Sequence, residues 1–399
     1  MPSLLFLTQR IPYPPTKGEK IRSWHVLEHL ARSHEVHLGC LIDDEADWEH
    51  VPKLRQICAD AYFARLDRRR ARLTCMRGLL TGEALSALFY ADRGLDAWVS
   101  GVLQRVQPDV VFVFSSNMAP YILDRRGRER VRIVDLVDLD SAKWRAYAET
   151  GRGPMRWVHG REARLVGALE RRIGRECDWS TFVSAEEAAL FLRLAPECAP
   201  RVRAISNGVD SAHFDPALAF DPPFPLDRPT YVFTGAMDYP PNVDAVVWFA
   251  DAVLPLLDGA AFVIVGAGPA PEVQALARRP GITVTGRVPD VRPYLAHASA
   301  AVAPMRIARG IQNKVLEAMA MARPVVVTPD ALEGIAARPG IEALVADDAQ
   351  SFAAACVTAA RPESEAVGRA ARARVLADYV WAERLRGFDA LLAPELTAS

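Results

Sequence analysis

Residues 300–328 constrain the fold of this chain more than any other stretch. Ala300–Pro304 (AAVAP) is a short apolar run and Val325–Val327 is β-branched, the pattern of strands buried on both faces. Between them, Lys314–Met321 sets Val315, Leu316, Ala318, Met319 and Ala320 at helical spacing, enough to line a buried face. Pro324 has no N–H and its ring clashes with the preceding turn, so the helix must stop near Arg323. The unit is strand, loop, helix, strand. Apolar strands joined through a helix belong to a parallel sheet covered on both faces, so the chain is α/β.

Open α/β sheets bind ligands beyond the carboxyl ends of their strands, and a helix N-terminus preceded by glycine favours phosphate. Gly310 and Ile311 lie in that loop, and Arg306, Arg309 and Lys314 ring it with positive charge. Asn313 and Glu317, four residues apart, share one helix face. A carboxylate there can accept hydrogen bonds from a ribose diol while the cations hold a diphosphate. The other reading of Lys314 and Glu317 is an ordinary surface ion pair.

The same alternation recurs along the chain. Ser3–Thr8 reads as a strand, Gln9–Arg22 as a loop broken by Pro12, Pro14 and Pro15, Ile21–Ser33 as a helix, and Glu35–Cys40 as a strand, a Rossmann-like opening. Gly18 gives this loop backbone freedom, and Lys17, Lys20 and Arg22 add charge suited to phosphate. Asp43–Asp60 and Arg65–Leu80 read as helices, and Gly82–Tyr90 is apolar. Asp92 is placed to cap a helix reaching Val106. Pro108–Phe114 and Arg132–Val137 are strands. The second leads into Asp138-Leu139-Asp140, where either carboxylate can take a proton from a hydroxyl, or Asp140 merely caps the next helix. A lone DxD is a very weak metal signal. Trp157–Arg175 is a long basic helix, Asp178–Ser184 a strand and Ala185–Leu194 a helix.

Asn207-Gly208 marks a turn, and Pro216, Pro222, Pro223, Pro225 and Pro229 interrupt the stretch that follows. The expected organisation is a first domain over 1–210, a linker over 211–229, a second domain over 230–378 and a terminal helix over 379–399. Tyr231–Gly235, Ala261–Gly268 and Ile282–Thr285 are strands of the second series. Gly266-Ala267-Gly268 lacks the third glycine of a dinucleotide fingerprint, because Pro271 occupies that position.

Glu317 with Ala318–Val326 (AMAMARPVV) resembles the nucleotide-sugar site of family 4 glycosyltransferases, retaining enzymes of GT-B fold. Their motif is two glutamates separated by seven residues, then Ala-Met-Ala-x-x-Pro-Val-Val. Glu317 matches the second glutamate, and Arg309 stands where the first, which faces the transferred sugar, would be. Asn207–Asp210 matches the family's interdomain boundary, with Ser206 in place of proline. The resemblance implies two Rossmann-like domains facing each other across a cleft, with a C-terminal helix returning to the first. It places Gly18, Gly235 and Gly266 in loops near the donor. It sets Asp138 or Asp140 where the family often has a histidine near the acceptor. The loop Ala236–Asn242 lacks the family's Arg and Lys for the diphosphate, leaving Arg287, Arg306, Arg309 and Lys314 as candidates. The segments KGEKIR, DLVDLDSAKW and RGIQNKVLEAMA are similar to those of bacterial sugar transferases from exosortase (PEP-CTERM) exopolysaccharide loci. A UDP- or GDP-sugar donor, a glycan or lipid-linked acceptor, and no metal or other cofactor follow from the resemblance. The alternatives are a nucleotide-sugar epimerase on the same fold and a degenerate, partner-binding subunit, which Arg309 and the missing cation pair favour.

A formal net charge of −1 gives no global field for nucleic acid. Arginines nevertheless cluster over 65–77, 125–132 and 156–175, either as solvated helix faces or as a patch for an anionic membrane. The six cysteines are scattered, without zinc spacing, as in a reducing cytoplasm. No signal-peptide core and no spanning run of apolar residues is evident, so a cytoplasmic, at most peripheral, protein is expected.

Overall fold

The structure is a computed structural model that describes residues 1–15, 18–125, 127–150, 153–308 and 311–393. The chain divides into two compact units, Met1–Ser206 with Leu385–Ser399, and Asn207–Arg384.

In the first unit, β1 (Ser3–Thr8), β2 (Glu35–Ile42), β3 (Asp60–Arg65), β4 (Val110–Phe114), β5 (Val131–Val137), β6 (Trp179–Phe182) and β7 (Val202–Ala204) form one sheet. Their order is β3-β2-β1-β4-β5-β6-β7, and every pairing is parallel. The central strands are continuous apolar runs because helices cover both faces: β4 is buried at every residue. Phe6 and Phe112 stack at 5.1 Å, and Phe388 of the helix Trp381–Leu392 meets Phe112 edge-on at 5.2 Å. The C-terminal helix thus returns to the first unit, where His29 and Asp389 also meet at 2.7 Å.

β3 replaces the end of one expected helix and the start of another. Its sequence, Asp-Ala-Tyr-Phe-Ala-Arg, lies at the sheet edge and buries only Ala64 fully, so it lacks the apolar run that marks the inner strands. Pairing with β2, from His37–Asp60 to Ile42–Arg65, decides its conformation. The helices on either side shorten to Val51–Ile57 and Arg68–Thr81. Asp92 caps its helix as expected, accepting from the Leu95 amide at 2.8 Å.

The second unit repeats the plan with β8 (Thr230–Thr234), β9 (Ala261–Val265), β10 (Ile282–Gly286), β11 (Ala300–Ala303), β12 (Val325–Val327) and β13 (Leu344–Val345). Their order is β10-β9-β8-β11-β12-β13, again wholly parallel. The proline-rich stretch 211–229 belongs to this unit. Phe214, Phe220 and Phe224 pack against its core, and His297 Nε2 lies 2.7 Å from the Phe220 carbonyl oxygen. Prolines exclude regular structure there without preventing burial of the aromatics between them.

Each sheet has a switch point where the strand order reverses, between β1 and β4 in one and between β8 and β11 in the other. Ligands of such sheets bind outside the carboxyl ends of the strands at that point.

Candidate active site

At the second switch point the loop after β8 carries Gly235, and the loop after β11 leads to the helix Asn313–Ala320. A Cβ on Gly266 would stand 1.6 Å from the Gly235 carbonyl oxygen, so glycine is required for the two loops to touch. A Cβ on Gly235 would stand 2.7 Å from Asn242 Nδ2. Asn242 is buried and donates to the Ala236 carbonyl at 2.9 Å, while its Oδ1 accepts from Lys314 Nζ at 2.5 Å. Lys314 also sits 4.5 Å from the Phe233 ring centre. Burial holds its ammonium down to about 8, opposed by Glu317. Burial likewise pushes the Glu317 carboxyl up to about 7, opposed by Lys314. Lys314 and Glu317 are both half-buried and feel each other's charge without a direct ion pair, so they do not form the ordinary surface salt bridge. Asn313 opens the helix with its Oδ1 buried and without a hydrogen-bond partner.

Other expected cations are placed differently. Arg306 forms a two-point pair with Asp244 at 3.0 and 2.5 Å, so its charge is already answered within the protein. Arg287 follows β10 directly, is exposed, and makes no ion pair among the described residues. Ile311 packs against the unit's core. Arg309 and Gly310 lie outside the described residues.

At the first switch point a cavity of about 560 Å3 is lined by residues from many elements. Gln9 and Glu19 come from the first loop and helix, Ser115 and Asn117 from the end of β4, and Asp138 and Asp140 from the end of β5. Leu85, Phe89, Tyr90, Trp144 and His159 give it apolar and aromatic walls. Ser115 and Val137 hold positive φ, 79° and 69°. A β-branched residue in that region is strained and persists only where its surroundings compel it. Here the Asp138 amide donates to the Leu136 carbonyl at 2.9 Å, closing a tight turn about Val137 at the cavity wall.

Burial pushes the Asp138 carboxyl up to about 6, reinforced by Glu187 and Asp140 and opposed by Lys143 and Arg22. Burial also raises Asp140, with Lys143 opposing. Glu187 anchors the segment from behind, accepting from the Leu139 amide at 2.8 Å. Glu162 accepts from the Leu85 and Ser86 amides at 2.9 and 2.7 Å and from Ser86 Oγ at 2.6 Å, fastening the helix Leu85–Phe89. Aromatic faces beside carboxylates suit a sugar, whose C–H face packs on rings and whose hydroxyls donate. Asp140 is the first residue of the helix Asp140–Thr150 and also lines the cavity. Among the described residues no group of three or more His, Cys, Asp or Glu is arranged to hold a metal ion.

Two expected phosphate contacts near Gly18 are engaged elsewhere. Lys20 pairs with Asp47 at 2.7 Å, and Arg22 is buried against Asp135 at 2.7 and 3.0 Å. Gly18 begins the first helix, with no atom within 4 Å of where a Cβ would lie. Lys17 is outside the described residues.

Residues 228–361, about a third of the chain, match the family model described as glycosyl transferases group 1. Sucrose-phosphate synthase from Thermosynechococcus elongatus is structurally similar, with TM-score 0.67 at 17% identity over 98% of both chains. Its fold is that of the GT-B glycosyltransferases. HepE from Anabaena, in complex with UDP-glucose, gives TM-score 0.67 at 13% identity over 98% of this chain and 99% of that one. WaaG, a glycosyltransferase involved in lipopolysaccharide biosynthesis, gives 0.63 at 14% over 98% and 100%. No curated protein sequence matches. With the domain match and this fold, the chain is a transferase of the glycosyltransferase class.

In this GT-B glycosyltransferase, Gly235, Asn313, Lys314 and Glu317 gather at one switch point, and Asp138 and Asp140 at the other. Sequence reasoning missed Asn242, Glu162 and Glu187. Asn242 reads as a helix start, and the two glutamates sit on helices where acidic residues ordinarily face solvent. No local signal distinguishes them.

Proposed function

We propose that this glycosyltransferase is a retaining, family 4-type enzyme that takes a sugar from a UDP- or GDP-linked donor. The observation that carries the reading is the placing of half-buried Lys314 and Glu317 on one helix turn at the second switch point, with Lys314 held by Asn242. Glu317 accepts the ribose hydroxyls there and Lys314 offsets diphosphate charge. HepE in complex with UDP-glucose supports the donor class. Exposed Arg287 supplies a further cation, and Arg309, which in the sequence takes the place of a sugar-facing glutamate, is a diphosphate or carboxylate contact.

The acceptor is a glycan or lipid-linked sugar held in the first unit's cavity, for assembly of exopolysaccharide at the cytoplasmic face of a membrane. WaaG's role in lipopolysaccharide biosynthesis supports this setting. In the transfer, the bond from the anomeric carbon to the diphosphate oxygen breaks and its electron pair leaves with the diphosphate. The acceptor oxygen bonds to that carbon on the same face, and its proton passes to Asp138 or Asp140. Asp138, raised to about 6, is ionised at neutral pH yet basic enough to take a proton. Leaving-group charge is met by side chains and a helix N-terminus rather than a metal.

Calorimetric titration with UDP- and GDP-sugars, followed by product analysis, tests the reading. Binding with transfer supports it. Binding with epimerised donor would make the chain an epimerase, and absence of both a partner-binding subunit. Turnover abolished by a chelator and restored by Mn2+ would overturn metal independence. Arg309→Ala should weaken UDP or GDP as much as the intact donor if it grips diphosphate, and the donor alone if it grips an acidic sugar.

A further inference from the structure

The helices Asp140–Thr150 and Pro154–Glu176 form a hairpin with two working sides. One side faces the cavity through Trp144, Val158 and His159. The other carries a separate open groove of about 640 Å3, lined by Arg145, Arg156, Arg161, Arg164 and Trp157, with Glu149 as the one lining carboxylate.

The arginines are distributed unusually along this hairpin. At its far end Arg171 and Arg175 share Glu197, and Arg172 is paired with Asp124 and Glu176. At the groove, Arg145, Arg156 and Arg164 are exposed and make no ion pair among the described residues. Arg156, Gly160 and Arg164 follow at four-residue steps on one helix face, so two arginines flank a glycine there and, with Arg145 of the facing helix, concentrate positive charge at the groove. Beneath them Arg161 is 8% exposed and donates through Nη2 to the Gly78 and Glu83 carbonyls. Its buried Nη1 makes no hydrogen bond and lies 3.9 Å from Glu162 Oε2.

Apolar side chains border this charge. Trp157, which lines the groove, is 63% exposed. Leu79, beside Gly78, is exposed as well. Guanidinium groups among exposed aromatic and aliphatic side chains match the headgroup layer of an anionic bilayer. The arginines meet lipid phosphate, and Trp157 enters the acyl boundary.

We propose that this face docks the enzyme on an anionic phospholipid bilayer, with lipid phosphate seated among Arg145, Arg156 and Arg164. The same hairpin walls the cavity, so docking holds the cavity one helix diameter, roughly 10 Å, from the lipid surface, within reach of a lipid-linked acceptor. The inference rests on the membrane-borne acceptor read above for its purpose, while the surface is tested independently.

The test is flotation of the full chain with phosphatidylcholine vesicles, with and without phosphatidylglycerol. The wild type should float with the anionic vesicles and be released by high salt, as the Debye length shrinks to about 3 Å at 1 M. Replacing Arg145, Arg156 and Arg164 together by Gln should lower partitioning about a hundredfold. The triple Lys variant should retain most of it. Trp157→Ser should lower it about tenfold at any salt concentration. Equal flotation of the Gln variant and wild type, or equal binding to neutral vesicles, would overturn the proposal. Displacement of vesicles by inorganic phosphate alone would assign the groove to a soluble anion and overturn it too. UDP titration of the Gln variant should match wild type, showing the fold intact. Failure of UDP to bind the wild type would count against the donor reading and leave the flotation result standing.

Discussion

The two units share a strand order, parallel pairing and a switch point, yet their sites are assembled in different ways. The second unit's site comes mainly from one contiguous stretch, with Lys314 and Glu317 a turn apart and Asn242 beneath them. The first unit's cavity draws on residues from Gln9 to Glu162, and its carboxylates Asp138 and Asp140 follow a strained turn at Val137. A site that binds a common nucleotide can be a portable local motif. A site that fits one acceptor is distributed over loops that vary separately.

The largest expected effect falls on the first unit. Asp138→Asn should lower turnover by about a hundredfold to ten-thousandfold, the usual range for losing a general base, with nucleotide affinity unchanged. Steady-state rates beside UDP titration check this. Equal losses in both would mean that Asp138 does not act in the acceptor site alone. Asp140→Asn in parallel separates the two carboxylates.

Next, Gly266→Ala should destabilise the second unit by about 3 kcal/mol, because its methyl group would overlap the Gly235 carbonyl. Denaturant unfolding reads it directly. A variant as stable as wild type would show that the loops need not touch.

Glu317→Ala should weaken nucleotide binding at least tenfold, the equivalent of roughly 1.5–3 kcal/mol for a hydrogen bond to a charged group. Unchanged affinity in a folded variant would remove Glu317 from the site. A pH series sharpens the point. Glu317 is raised to about 7, so its charged, acceptor-only form predominates above that pH and is lost as pH falls through it. Affinity should therefore decline by up to about tenfold per unit below pH 7, and Glu317→Gln should flatten that slope.

Smallest is Gly18→Ala. The site of its Cβ is open and the residue begins a helix, so stability should change by no more than about 0.5 kcal/mol. If donor binding nonetheless falls, that loop approaches the donor closely; if not, its glycine is incidental.

Much of this was legible in the chain. Inner strands such as Ser3–Thr8 and Val325–Val327 announce themselves because burial on both faces demands continuous apolar residues. Pro324 marks the end of the helix before it, and the Ala-Met-Ala stretch with Glu317 falls at the second switch point. The edge strand β3 did not show, since one paired side imposes little pattern on six residues. Tertiary structure alone decided which cations are available. Lys20, Arg22 and Arg306 look alike in sequence to Arg145 and Arg156, but Asp47, Asp135 and Asp244 meet the first three across gaps of 27, 113 and 62 residues. Likewise the raised carboxyl of Asp138 depends on burial beside Glu187. Periodicity and stop signals act between chain neighbours and are written in order. Charge pairing and desolvation act through space, between residues that the folded sheets bring together.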